Sequence, residues 1–152
     1  MTTTPFLPGL SPVETKPLTA SQDAGNLSSN GGLIVLREAA RRLGLAEVIA
    51  KFLPDGRNPM LVTHTYSDMI TARMMAIAAG YEDADDLDTL RRDPALMIAC
   101  DRAPESGTDL PSQPTISRLE NLADMRTLYY TGIGMIDFFC RSYDRPPAKI
   151  EL

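Results

Sequence analysis

Apolar residues recur along this 152-residue chain at intervals of three and four, the spacing that lines one face of an α-helix. In "LIVLREAARRLGL", Leu33, Leu36, Ala40 and Leu43 make one stripe, with "NGG" at 30–32 before it and Gly44 as its stop. A short second helix, "LAEVIAKFL", runs into the turn signal Pro54, Asp55, Gly56. "HTYSDMITARMMAIAAG" repeats the helical spacing through Tyr66, Met69, Ile70, Met74 and Ile77, and Gly80 terminates it. An Asp-capped helix through Leu87 and Leu90 follows, then one with Asp93 as N-cap and Pro94 at the first helical position. After the loop "DRAPESGTDLP", Ser112 can cap a helix that turns Ile116, Leu119, Leu122 and Ala123 inward. The last helix spans "MRTLYYTGIGMIDFFCRSY". Its Leu128, Ile133, Ile136, Phe139 and Cys140 are expected to pack, Gly132 and Gly134 permit a bend or a close helix contact, and "DRPP" ends it. "AKIEL" alternates like the first residues of a strand.

The pattern predicts an all-α fold: a compact multi-helix domain over residues 30–145, a disordered arm over 1–29, and over 146–152 the start of a strand. The arm is rich in Thr, Pro and Ser, with too few apolar residues to offset the entropy of ordering it. One compact domain of ~100–150 residues suits this length. Composition agrees, because tryptophan is absent and aromatics are few, which leaves a core of Leu, Ile, Met and Ala that favours helices. The longest apolar runs fall short of the ~20 residues of a membrane span. With no basic start, apolar h-region or cleavage site, a soluble, cytoplasmic chain is expected. Cys100 and Cys140 lie far apart, with no Cys or His at metal-ligand spacing, and are expected to be reduced, buried thiols.

Charge complicates the picture. The formal net charge of -5 argues against indiscriminate nucleic-acid binding, which needs clustered Lys or Arg. Six acids, however, crowd into "YEDADDLDTLRRD"; outside it fourteen acids face thirteen bases, so the acidity is local. "DADDLD" lacks the glycine and terminal glutamate of a calcium loop, and helix-start acids complementing the dipole account for it better. His64, the only histidine, has no companion ligand or nucleophile in its neighbourhood and reads as a loop or helix-start residue. Arg37, Arg41 and Arg42 fall on the polar side of the first helix, with Glu38 placed to pair with Arg42; a solvated face and a phosphate-contacting patch both fit.

The stretch with the most suggestive chemistry is "LPSQPTISRLEN". Gln113, Ser117, Arg118 and Asn121 share its outward face, and such side chains can donate to phosphates or base edges: Arg to guanine, Gln or Asn to adenine, Ser to either. An ordinary polar helix face has the same composition. A tight helix-turn-helix is excluded because the loop from Asp101 to Pro111 exceeds its three-to-four-residue turn.

Taken in order, "NGGLIVLREAARRLGL", "AIAAGYEDADDLDTLRRDPAL", "LPSQPTISRLEN" and "RPPAKIEL" resemble the N-terminal part of insertion-sequence transposases with a DDE catalytic domain, the group-1 DDE family, over roughly residues 30–152. The resemblance implies a helical region that engages double-stranded DNA at transposon ends; the candidate contacting residues, taken from the chemistry of this helix, are Gln113, Thr115, Ser117, Arg118 and Asn121. It also implies a following RNase H-like domain in which two aspartates and a glutamate hold two divalent metals for phosphoryl transfer. The first aspartate would come directly after the strand beginning "PPAKI", where Leu152 is the last residue; Asp137, Asp144 and Glu151 match none of the triad. The expectation is therefore a truncated chain with no catalytic residue, no cofactor of its own and no enzymatic activity alone. The alternative is a helical protein-interaction module or inactive remnant that self-associates or pairs with full-length transposase, since an unpaired strand edge recruits partners.

Overall fold

The computed structural model describes residues 9–20 and 29–145. Among them are seven α-helices: α1 (Leu33–Leu43), α2 (Leu45–Ala50), α3 (Tyr66–Ala78), α4 (Leu87–Leu90), α5 (Pro94–Ala99), α6 (Gln113–Glu120) and α7 (Met125–Arg141). Short 3-10 turns at Pro59–Leu61 and Ala84–Asp86 precede α3 and α4. The expected all-α class holds, and the strand expected over 146–152 lies outside the described residues.

Local chemistry sets the helix starts. At α3 a capping box forms: the Asp68 N–H donates to Thr65 Oγ1 (3.1 Å), and the Thr65 N–H donates to the Asp68 carboxylate (2.9 Å). The carboxylates of Asp83, Asp93 and Asp124 accept from the N–H groups of Asp85, Leu96 and Thr127, satisfying donors that the helix itself leaves unpaired. The backbone N–H of Thr127 holds the Asp124 carboxyl below its usual range. Gly44 takes the left-handed conformation (φ 66°), which closes α1 and turns directly into α2.

The core is built around α3, which packs against α1, α2, α5 and α6. Ala72, Met75 and Ala76 are almost wholly buried; the alanines admit neighbouring helices closely, and Met75 fills the irregular space between them. Leu87, Leu96, Leu110 and Ile116 complete the same cluster, each contributing about 1.5–3 kcal/mol by burial.

Three expectations are corrected. Residues 9–20 were assigned to the arm, but they pack: Val13 and Leu18 are buried with Ala103 in a second small cluster, and an isolated bridge joins Val13 to Lys16. The segment is gripped by polar contacts as well as by this apolar cluster. Glu38 accepts from the Ser11 N–H (3.1 Å) and hydroxyl (3.2 Å), and Arg37 donates to the carbonyls of Ser11 (2.7 Å) and Pro12 (2.9 Å). The Ser11 N–H holds the Glu38 carboxyl below its usual value.

On α1, the inward stripe is Leu33, Arg37 and Ala40, while Leu36 and Leu43 are exposed. A guanidinium can occupy that stripe because Asp101 and two carbonyls satisfy it.

On α7, the side toward the protein carries Thr127, Thr131, Gly134 and Phe138, whereas Leu128, Ile133, Ile136, Phe139 and Cys140 are exposed. The reason is Phe52, just beyond α2. A Cβ on Gly134 would lie 2.2 Å from that ring, so α7 approaches α2 only by its glycine face. The expected close helix contact is therefore present at Gly134. Cys140 is exposed, and Cys100 is half-buried, with burial pushing its thiol up to about 12.

Candidate nucleic-acid interface

Helix α6 is held at both ends and along its inner face. Ser112 stands at the N-cap in extended conformation, but its hydroxyl pairs with that of Thr115 (3.0 Å) instead of capping the backbone. The free N–H of Gln113 donates to Asp88 from α4 (2.9 Å), an acid placed at the positive end of the helix dipole. Ile116 and Leu119 are buried, and near the C-terminal end Arg73 of α3 pairs with Glu120 at 2.6 Å. The preceding loop is stapled by the Leu110 N–H to the Arg91 carbonyl (3.0 Å). A helix fixed this way presents its outer side chains without having to order first.

The five residues expected to contact DNA fall into two groups. Gln113, Ser117 and Asn121 lie on one line: Gln113 Nε2 donates to Ser117 Oγ (3.1 Å), and Asn121 Nδ2 donates to the Ser117 carbonyl (2.7 Å). Thr115 and Arg118 instead line a cavity of about 310 Å³ together with Arg57, Tyr66 and Leu122. Arg118 is exposed and has no carboxylate or hydrogen-bond partner among the described residues. A neighbouring cavity of about 470 Å³ shares Arg57, Met69 and Thr115 and adds His64, Arg91 and Ser112. Three arginines thus line two neighbouring cavities beside α6, Arg91 in one, Arg118 in the other and Arg57 in both.

Two of the three are already engaged. Arg57 clasps Asp55 through two nitrogens (2.8 and 2.7 Å), donates to the His64 carbonyl (3.0 Å), and lies 3.9 Å over the Tyr66 ring. Its hydrogen bond draws the Asp55 carboxyl down to about 2. Arg91 pairs with Asp109 at 3.3 Å, yet its Nε is buried without a partner, as is Nδ1 of His64. Arg57 and Arg91 were not singled out from sequence. Their positions, after "PDG" and inside the acidic stretch, carry no periodic signal, and only the fold brings them to α6.

The arginines of α1 are engaged as well. Arg37 is buried against Asp101, Arg41 also binds Asp101 (2.9 Å), and Arg42 pairs with Glu38 (3.3 Å) as the spacing indicated.

Comparison with known families decides the wider identity: the family described as Transposase DDE domain group 1 matches residues 10–152. The chain belongs to that family. No curated protein and no solved structure matches it. Membership in the transposase DDE family ties the chain to transposition, and so to DNA in general terms.

The divalent metals that a DDE transposase implies do not fit the residues described. Among these, no group of three His, Cys, Asp or Glu side chains is placed to hold an ion, and the acids of the Asp-rich segment serve helix starts, Asp83 at Asp85 and Asp88 at Gln113.

His64 offers a pH test of this transposase surface. Burial, and then the charge of Arg102, lowers its pKa below the ordinary value, so the unfolded chain takes up a proton that the native chain resists. Its contribution to stability is present above the unfolded pKa and is lost as pH falls through the folded one. Unfolding free energy measured in urea is therefore expected to fall between about pH 7.5 and pH 5.5, a window where His is the side chain that ordinarily titrates. His64→Gln should flatten the decline; an identical decline in that variant would assign it to other groups.

Proposed function

We propose that this chain is the helical, DNA-engaging part of a DDE transposase. It binds double-stranded DNA at transposon ends through α6 and the arginine-lined surface beside it, and the described residues, which place no three acids to hold an ion, neither cleave nor join strands by themselves. The observation that carries the reading is Arg118. It is an exposed guanidinium with no partner among the described residues, on a rigidly held helix in a family that acts on DNA, and it shares a concave surface with Arg57 and, one cavity further, Arg91. In this reading Arg118 and Thr115 meet the phosphate backbone or a guanine edge, while Gln113, Ser117 and Asn121 offer amide and hydroxyl groups to neighbouring positions.

Fluorescence anisotropy with terminal-repeat duplex and a scrambled control, at two salt concentrations, tests it. Preference for the repeat is expected. Arg118→Ala should weaken binding and reduce the salt slope by about one unit; unchanged affinity and slope would remove α6 from the interface. Supercoiled DNA incubated with the chain and Mg²⁺ should stay intact, and chelator-sensitive nicking would refute the non-catalytic part. A second reading, an interaction module that pairs with itself or with full-length transposase, is favoured by one feature, the outward apolar face of α7.

A further inference from the structure

Helix α7 carries its larger apolar residues on the side away from α2. Met125, Tyr129, Gly132, Ile136 and Phe139 succeed one another at intervals of four, three, four and three. That 3.5-residue repeat keeps a single seam turned toward a second helix. All five are exposed, Met125 at 82% and both Tyr129 and Ile136 at 65%, whereas the side facing the protein is Thr127, Thr131, Gly134 and Phe138.

The seam is also symmetric. Within the helix, Tyr129 and Phe139, and Gly132 and Ile136, stand equally far on either side of position 134. A second copy laid antiparallel therefore sets Tyr129 against Phe139, an aromatic pair, and lets Ile136 enter the space left open at Gly132, where nothing lies within 4 Å of an added Cβ. On the two flanks Ile133 meets Ile133 and Met135 meets Met135. Of the helix's charged side chains, Asp137 and Arg141 pair with each other at 2.6 Å and Arg126 lies 5.7 Å over the ring of Tyr130, a residue outside the seam, so the seam itself carries no charge.

Area points the same way. With roughly 200 Å² per large side chain, the exposed parts of Met125, Tyr129, Ile133, Met135, Ile136 and Phe139 present about 700 Å² on one copy. Two copies covering one another would remove on the order of 1,400 Å², within the range of standard interfaces.

We propose that the chain self-associates through α7 as an antiparallel, twofold-symmetric pair of helices. The inference is independent of DNA binding by α6. Sedimentation equilibrium of the full chain should give twice the monomer mass of 16.6 kDa. Ile136→Asp, at an exposed position, should keep the far-UV circular dichroism while raising the dimer Kd at least ~100-fold. In a Cys140→Ser background, Tyr129→Cys combined with Phe139→Cys should form a disulfide-linked dimer on oxidation, and neither cysteine alone should. A wild-type chain that stays monomeric at concentrations on the order of 100 µM overturns the proposal. So does a dimer that survives Ile136→Asp, and so does efficient linkage by either single cysteine, which would indicate parallel pairing.

Discussion

Arg37→Ala is expected to destabilise the fold by about 3 kcal/mol, because a buried guanidinium that satisfies two carbonyls and a partly exposed carboxylate is removed. Arg37 is 1% exposed, its guanidinium binds Asp101, and two of its nitrogens donate to the carbonyls of Ser11 and Pro12. Truncation leaves those carbonyls without a donor and opens a void on the inward face of α1. Asp101 is not orphaned, because Arg41 still reaches it at 2.9 Å, and this limits the expected cost. Arg42→Ala on the same helix is the control. Arg42 is 72% exposed and makes an i,i+4 pair with Glu38, so its loss should cost only about 0.3–0.5 kcal/mol. Urea denaturation of the two variants measures the contrast. Limited proteolysis adds an independent readout, since cleavage by a glutamate-specific protease after the exposed Glu14 should accelerate only in Arg37→Ala. Equal stability of the two variants would mean that residues 9–20 are held by something other than Arg37.

That prediction rests on a contact which periodicity conceals. The stripe Leu33, Leu36, Ala40, Leu43 is the natural apolar choice in α1, and the chain uses Leu33, Arg37, Ala40 instead. The partner carboxylate lies 64 residues away, beyond the reach of a local pattern. Signals that act over one turn were legible: Asp93 with Pro94, the stops at Gly44 and Gly80, Glu38 with Arg42, and the inward Ile116 and Leu119 of α6. Helix α7 failed in the opposite sense. Its apolar seam is plain in the sequence, but an amphipathic pattern tells only that one face avoids water, and not whether the same chain or another one covers it. Of the candidate site, the outward residues of α6 were legible from spacing, while the neighbouring Arg57 and Arg91 became visible only once the turn after α2 and the loop after α4 folded beside it.

Ile116→Ala is expected to cost about 3 kcal/mol and to lower Tm by roughly 10 °C, because removing a buried branched side chain forfeits its transfer energy and leaves a cavity. Ile116 is wholly buried, and it joins α6 to the central cluster that contains Met69, Met75 and Leu87. The backbone anchors of α6, Gln113 to Asp88 and Leu110 to Arg91, remain, so the helix should stay in place at low temperature with less to hold it. Arg118→Ala reverses the profile. An exposed side chain with no partner among the described residues contributes within about ±0.5 kcal/mol to stability, while in the proposed interface its loss removes a phosphate or base contact. Thermal unfolding and anisotropy on both variants thus separate scaffold from surface. Ile116→Ala should melt early yet bind terminal-repeat DNA with near wild-type affinity well below its Tm, and Arg118→Ala should melt normally and bind weakly. If Ile116→Ala loses binding while still folded, α6 positions its outer residues through that one core contact. If neither variant changes binding, the contacting surface lies elsewhere on the chain.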